Sequence, residues 1–136
     1  MKTFDFKLIT PEKVLFEGQA SEVILPTQNG QIGVLPNHEP LVTLSVPGEI
    51  EIKNDGETIH LVSMGGFVEI NNNSVKVLSD SAIRSEEIDA IAAEDAKVKA
   101  EQALKDAIDD TEVAAASAAL EKSLLHLRIV RKRHHR

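Results

Sequence analysis

Short runs in which apolar and polar residues alternate fill the first 82 residues of the chain and predict β-strands. The clearest runs are residues 4–8, 22–25, 48–52, 58–62 and 74–78. This alternation is typical of strands with one buried face, and the Asn, Gly and Pro residues between the runs favour turns. About eight to ten short strands fit into this length. Because such strands must bury their apolar faces against another layer, we predict an antiparallel β-sandwich of two packed sheets.

After residue 84 the apolar residues recur at steps of three and four, which predicts two α-helices. Ser85 followed by Glu86 and Glu87 is a typical helix start, since a hydroxyl caps the first amides and carboxylates favour the positive end of the helix dipole. Residues 109–111 supply a turn and a second cap. The predicted apolar stripes are Ile88, Ala92, Ala96, Ala100, Ala103 and Ala107, then Val113, Ala116, Leu120, Leu124 and Leu127.

Alanine dominates these stripes, and a buried methyl group contributes little at ~25 cal/mol per Å². We therefore expect a helical hairpin that holds together and docks weakly. Every Phe, Pro and Gly of the chain precedes residue 68, which supports the same division. The predicted fold class is α+β, with a β-sandwich over residues 1–84 and a helix-turn-helix over residues 85–136.

Composition excludes several function classes. The chain has no Cys, which removes disulfides, thiol catalysis and cysteine-bound zinc. A net charge of −7 argues against nucleic acid as a partner. No apolar run reaches the ~20 residues that span a bilayer, so we expect no direct bilayer insertion. The start of the chain lacks the features of a targeting segment, and a cytoplasmic location follows as the expectation.

Charge is unevenly distributed over the two predicted helices. Residues 85–112 hold ten acidic side chains and three lysines, whereas residues 120–136 hold Glu121 and six cations. The cations are Lys122, Arg128, Arg131, Lys132, Arg133 and Arg136. They could complement the helix dipole, pair with carboxylates of the first helix, or reach an acidic partner. A solvated terminal tail is the plain alternative.

Residues 30–41 (GQIGVLPNHEPL) form an unusually restricted loop. Gly30 and Gly33 permit backbone conformations or close approaches that a side chain forbids, while two prolines fix φ. The loop presents His38 beside Glu39, either as part of a rigid turn or as a contact surface. No Cys or second His lies nearby, so we predict neither a metal site nor a catalytic one.

Two further positions have simple structural interpretations. His60 alternates with apolar residues on either side, which predicts that its side chain points to solvent or to a sheet edge. The pair Gly65-Gly66 precedes strand-like sequence rather than a helix, so a bulge or tight corner is favoured over a phosphate-binding loop.

The chain resembles the epsilon subunits of bacterial F-type ATP synthases. The resemblance rests on residues 30–41, on TPEK at 10–13, SEVILP at 21–26 and GGFVE at 65–69, and on the Ala-rich hairpin. It implies a non-catalytic subunit at the foot of the rotor's central stalk, on the cytoplasmic face of the bacterial plasma membrane. The implied partners are the gamma subunit, the ring of c subunits, and the alpha and beta subunits of the catalytic head.

The resemblance also implies roles for particular residues. Contacts to the ring and to gamma would come from Glu22, Gln31, His38 and Glu39. The hairpin would lie folded or extend along gamma and inhibit ATP hydrolysis. In the extended form, Lys122, Arg128, Arg131, Lys132 and Arg133 would contact acidic segments of the head.

Some family members bind ATP on the folded hairpin through the motif Ile/Leu-Asp-x-x-Arg-Ala and basic residues of the second helix. This chain has Ile88, Asp89, Ala92 and Ala93 at the motif positions, with Ala92 in place of the arginine. Lys122 and His126 stand where further arginines are expected. Because the bidentate guanidinium grip on phosphate is lost, we predict weak or no ATP binding and no other cofactor.

Two functions outside the family remain open at this point. One is a stand-alone β-sandwich adaptor with permanently packed helices, and the other is a nucleotide-sensing module with the hairpin as a lid. Co-purification of partners separates them from a rotor subunit. An independent enzyme has the least support, since the sequence shows no recognisable nucleophile, base and orienting group.

Overall fold

The computed structural model describes residues 2–134, which fold into ten strands followed by two helices. The strands are β1 Phe4–Ile9, β2 Val14–Ala20, β3 Glu22–Thr27, β4 Gly30–Val34, β5 Leu41–Ser45, β6 Gly48–Asn54, β7 Glu57–Ser63, β8 Gly66–Asn71, β9 Ser74–Ser79 and β10 Ala82–Arg84. A 3-10 turn, Ser85–Glu87, precedes helices α1 Ala90–Asp106 and α2 Asp110–His134. The chain divides into two compact units between Arg84 and Ser85.

The strands form one hydrogen-bonded sheet that folds over on itself. Its order is β10-β7-β6-β3-β5-β8-β9-β1-β2, with β4 also paired to β3. The two halves are linked through a single residue pair, Thr27 on β3 and Ser45 on β5. The two predicted layers are therefore the two halves of this sheet. Pairing is antiparallel except between β1 and β9, which run parallel.

Alternate residues of both halves meet in one hydrophobic core. Phe6 and Leu8 of one half pack in the same cluster as Leu25, Ile50 and Ile52 of the other. Fully burying an aliphatic or aromatic side chain of this kind stabilises a fold by about 1.5–3 kcal/mol. The core confirms the sandwich predicted from the period-two pattern.

A tight corner before β8 requires glycine. Gly66 pairs with Ser45 on one side and Ser79 on the other, and a Cβ at this position would lie 1.9 Å from the carbonyl oxygen of Leu78. Its neighbour Gly65 has a φ of 99°, in the left-handed region. The predicted corner is confirmed, and a strand rather than a helix follows it.

Helix α1 begins later than the sequence predicts. Ser85 lies buried in the 3-10 turn instead of capping the helix. The cap is Asp89, whose carboxylate accepts hydrogen bonds from the amides of Ile91 and Ala92 at 2.9 and 3.1 Å. The prediction for Ser85 was wrong because a carboxylate adjacent to the first helical turn satisfies two amides at once.

The second predicted turn and cap are confirmed. The Asp109 carboxylate accepts a hydrogen bond from the amide of Glu112 at 2.7 Å. The Glu112 side chain in turn accepts one from the amide of Ile108 at 2.9 Å. Reciprocal contacts of this kind fix both the end of the connection and the start of α2.

The buried side chains of the two helices are partly those predicted. Ala100, Ala116 and Leu127 are buried as expected. In α1, however, Ala93 is buried while Ala92, Ala96 and Ala103 are exposed, although Ala96 and Ala103 line the groove between the helices. Leu125, Ile129 and Val130 are also buried on α2. A groove of about 640 Å³ remains between the helices, lined mainly by alanines.

Candidate docking surfaces and the helical hairpin

The loop from residue 35 to residue 40, between β4 and β5, carries His38. The amide of His38 donates to the carbonyl of Leu35 at 3.2 Å, which closes a turn. Asn37 within this turn has a φ of 65°. The His38 imidazole is half-buried, with Nδ1 2.7 Å from the carbonyl oxygen of Glu39. The loop is thus internally braced, and His38 is less exposed than the sequence suggests.

The side chain of Asn73, which lies in another turn, anchors this loop through a hydrogen bond. The Asn73 side-chain oxygen accepts a hydrogen bond from the amide of Asn37 at 2.8 Å, and its Nδ2 donates to the carbonyl of Thr3 at 3.0 Å. Sequence reasoning treated Asn73 only as a turn residue. The contact spans 36 residues, so no local pattern could have indicated it.

The four residues predicted to contact the ring and gamma lie on different elements of the sandwich. Glu39 lies in the loop, and Glu22 is near it at the start of β3, 3.6 Å from the Lys53 ammonium. Gln31 pairs with Pro26 four residues further along β3, which places it about 13 Å from Glu22 at ~3.3 Å per residue. Gln31 therefore marks the opposite end of the β3–β4 hairpin.

Gly33 has a different role from the one expected. It pairs with Ile24 as an ordinary residue of β4, and its φ is outside the left-handed region. Gly30 does adopt a φ of 107°, in the turn that joins β3 to β4. Of the two glycines, only Gly30 adopts a backbone conformation that favours glycine.

An apolar row crosses the outer face of five strands, and sequence reasoning missed it. Register places Leu44, Phe67, Leu78, Ile9 and Val14 opposite one another on β5, β8, β9, β1 and β2. Phe67 is 57% exposed and Leu78 is 48% exposed. A contiguous exposed apolar surface of this kind typically marks a protein interface. We call these five residues the apolar row.

A shallow groove follows the apolar row, and every residue of the row except Val14 lines it. Its volume is about 650 Å³, and Pro11, Pro47 and Met64 line it together with Leu44 and Phe67. The glycine corner forms part of the same wall. The groove adds a depression to this apolar surface, and a depression suits the insertion of a partner's side chain.

His60 lies against two carboxylates rather than pointing to solvent. Its Nδ1 is 3.4 Å from Oε1 of Glu49 and 3.7 Å from Oε1 of Glu51, and the side chain is half-buried. The cause is register, since Glu51 pairs directly with His60 across β6 and β7. Within the described residues, only these three side chains place metal-ligand atoms within 4.8 Å of one another.

The residues of the ATP motif have other roles in this structure. Asp89 caps α1, and Ile88 and Ala93 are buried. Ala92 is exposed and offers no donor to a phosphate. Of the two helix-two residues, Lys122 is exposed, and burial together with the Lys122 charge lowers the pKa of His126 below 6.5. A neutral imidazole is a weak ligand for a triphosphate.

The basic side chains at the end of α2 fall into two groups. Arg128, Arg131 and Lys132 are exposed. Arg133 is half-buried and donates hydrogen bonds to the carbonyls of Ser85 and Ile88 at 2.6 and 3.3 Å. Arg136 lies outside the described residues. Four of the five predicted head contacts, Lys122 included, are thus exposed, and the fifth, Arg133, is engaged within the hairpin unit.

No helix among the described residues is long and apolar enough to cross a membrane. A β-sandwich with an exposed apolar row and a charged helical hairpin presents surfaces that suit docking on other proteins. The sandwich matches the family described as ATP synthase, Delta/Epsilon chain, beta-sandwich domain, over residues 3–85.

Relatives extend the match to the hairpin. The chain is 39% identical to the ATP synthase epsilon chain of Caldanaerobacter subterraneus, covering 96% of both chains. It is 35% identical to that of Herpetosiphon aurantiacus, again over 96% of both, and 38% identical to that of Delftia acidovorans over 97% of this chain and 96% of the relative. The chain belongs to the ATP synthase epsilon chain family.

Solved structures show the same fold at lower identity. A chain of the Euglena gracilis mitochondrial ATP synthase structure of OSCP, F1 and c-ring superposes with a TM-score of 0.73 at 24% identity, over 88% of this chain and 76% of that one. A chain of the Tetrahymena thermophila central stalk and c-ring structure superposes with a TM-score of 0.66 at 16% identity, over 93% and 96%.

Proposed function

We propose that this chain is the non-catalytic epsilon subunit of a bacterial F-type ATP synthase. It sits in the central stalk, holding the gamma subunit and the ring of c subunits together and turning with them, on the cytoplasmic face of the plasma membrane. The observation that carries this proposal is the apolar row on a sandwich of this family. An exposed apolar surface of this kind marks a site of protein interaction.

Two surfaces of the sandwich suit different contacts. We assign the apolar row and its groove to gamma, because an obligate interface is rich in apolar and aromatic side chains. The polar set Glu22, His38 and Glu39 with the braced loop suits the polar loops of the ring. Gln31, at the other end of its hairpin, fits the margin of that contact.

The helical hairpin serves as a regulator of ATP hydrolysis. Alanines line the groove between its helices and supply little apolar burial there, which favours a small free-energy difference between a folded and an open state. In the open state, Arg128, Arg131 and Lys132 meet acidic segments of the catalytic head. The hairpin gains those ion pairs only when it leaves the folded form.

Deletion of residues 120–136 tests this role. An ATP synthase reconstituted with the shortened chain should hydrolyse ATP faster than one with the full chain, since the inhibitory cations are absent. A matched variant that carries only Val98→Ser, an exposed apolar position of α1, should leave the rate unchanged. Equal rates for the full and shortened chains would contradict the regulatory role.

A further inference from the structure

We propose that Arg133 is a clamp that keeps the hairpin folded, and that its release is a required step of opening. The local contact involves only residues of the helical unit, whereas its regulatory meaning rests on the function proposed above. Arg133 is one of the residues expected to reach the catalytic head. In the folded form it has a different set of partners.

The clamp joins the two ends of the helical unit. One guanidinium nitrogen of Arg133 lies 2.6 Å from the Ser85 carbonyl oxygen, and the other lies 3.3 Å from that of Ile88. These partners are 48 and 45 residues away in sequence. The planar fork of Arg spans both carbonyls, which a single lysine ammonium does not reproduce. Hydrogen bonds from a charged donor are about twice as strong as neutral ones.

The 3-10 turn that Arg133 contacts has few stabilising contacts of its own. Ser85 is buried, and among the described residues its hydroxyl has no hydrogen-bond partner. The turn is only three residues long and has one internal bond, from the amide of Ile88 to the carbonyl of Ser85 at 3.2 Å. An isolated 3-10 turn of this length has poor hydrogen-bond geometry. The guanidinium therefore fixes a segment that its own contacts hold weakly.

The position of the clamp couples it to opening. The turn lies directly before Asp89, which caps α1, and Arg133 lies in the last turns of α2. Any motion that carries the end of α2 away from the start of α1 breaks both contacts. The alanines between the helices contribute little, and this pair of bonds adds to the burial of Ile129 and Val130 at the same end of α2 in resisting opening. Arg133 cannot hold these carbonyls and bind an acidic partner at the same time.

Hydrogen exchange of the isolated full chain tests the clamp without reference to function. Arg133→Gln should speed amide exchange over residues 85–93 by about tenfold, the change expected for ~1.4 kcal/mol. Arg133→Lys should give an intermediate rate, since it keeps the charge but loses the fork. Arg131→Gln is the matched control, because it removes the same charge from an exposed site two residues earlier on α2. It should exchange like the parent chain.

A distance measurement separates opening from unfolding. The chain has no cysteine, so spin labels at Glu94→Cys and Glu121→Cys report the spacing of the two helices. Arg133→Gln should broaden the distribution to longer distances, while exchange in the strands stays unchanged. Equal exchange and equal distances in Arg133→Gln and Arg131→Gln would overturn the clamp.

The regulatory consequence is read in the assembled enzyme. Both Gln variants lose one cation that would face the catalytic head, but only Arg133→Gln also releases the clamp. The enzyme with Arg133→Gln should therefore hydrolyse ATP more slowly than the enzyme with Arg131→Gln. If exchange identifies the clamp while the two rates are equal, the clamp is not part of regulation and that half of the proposal is overturned. If the proposed regulatory function itself is wrong, deletion of residues 120–136 will leave the rate of ATP hydrolysis unchanged, which is a separate result.

Discussion

Replacing Phe67 by serine removes the largest and most exposed side chain of the apolar row. Phe67 is 57% exposed, and an aromatic side chain presents ~200 Å² in all, so about 110 Å² remains for a partner to cover. At ~25 cal/mol per Å² this burial contributes about 3 kcal/mol, and fixing the side chain costs about 1 kcal/mol. The net loss of about 2 kcal/mol corresponds to roughly thirtyfold weaker binding of gamma.

Titration of purified gamma into the labelled chain measures this loss directly. The control is Ile108→Ser, which removes a side chain that is 88% exposed in the connection between α1 and α2. It should bind gamma like the parent chain, since that connection is not part of the sandwich. Thermal unfolding verifies that Phe67→Ser keeps a folded sandwich. Binding of the folded Phe67→Ser chain within about threefold of the parent would refute the assignment of the apolar row.

Three further predictions follow from single positions. Gly66→Ala should lower the free energy of unfolding of the sandwich by about 3 kcal/mol or more in urea titration, because its Cβ would lie 1.9 Å from the Leu78 carbonyl oxygen; an unchanged midpoint would contradict the close approach. The imidazole of His126 should titrate below 6.5 in an NMR experiment. Since its pKa is lowered on folding, the unfolded state binds the proton more tightly, and the hairpin should lose stability as the pH falls below 6.5. His126→Gln should abolish this dependence of hairpin stability on pH. An equal pH dependence in the parent chain and the variant would contradict the prediction. Calorimetry with ATP should show no micromolar binding by the isolated chain, and micromolar affinity would refute the reading of Ala92.

The strands, the corner and the hairpin could be predicted because each has a local cause. Period-two alternation follows from the pleat, and the Gly65-Gly66 pair combines flexibility with strand-like sequence after it. The turn at Asp109 has its capping partner three residues away. Such signals need no knowledge of distant contacts.

The remaining features depend on register or on contacts far apart in sequence. The apolar row exists only because β5, β8, β9, β1 and β2 align Phe67 with its neighbours, and β1 pairs with β9 in parallel. His60 meets Glu51 for the same reason. Asn73 and Arg133 act across 36 and 48 residues. Sequence periodicity assigns a face to each residue, but it does not say which residues of other strands share that face.

The measurement that bears most directly on the central claim is the composition of the complex that the tagged full chain retains. When the chain replaces epsilon in a bacterial ATP synthase and is captured by its tag, the account predicts gamma and the ring of c subunits at fixed stoichiometry, with alpha and beta attached. Phe67→Ser should reduce gamma, and alpha and beta with it, since gamma links the chain to the catalytic head. Capture of the folded chain alone, without gamma, would contradict the account.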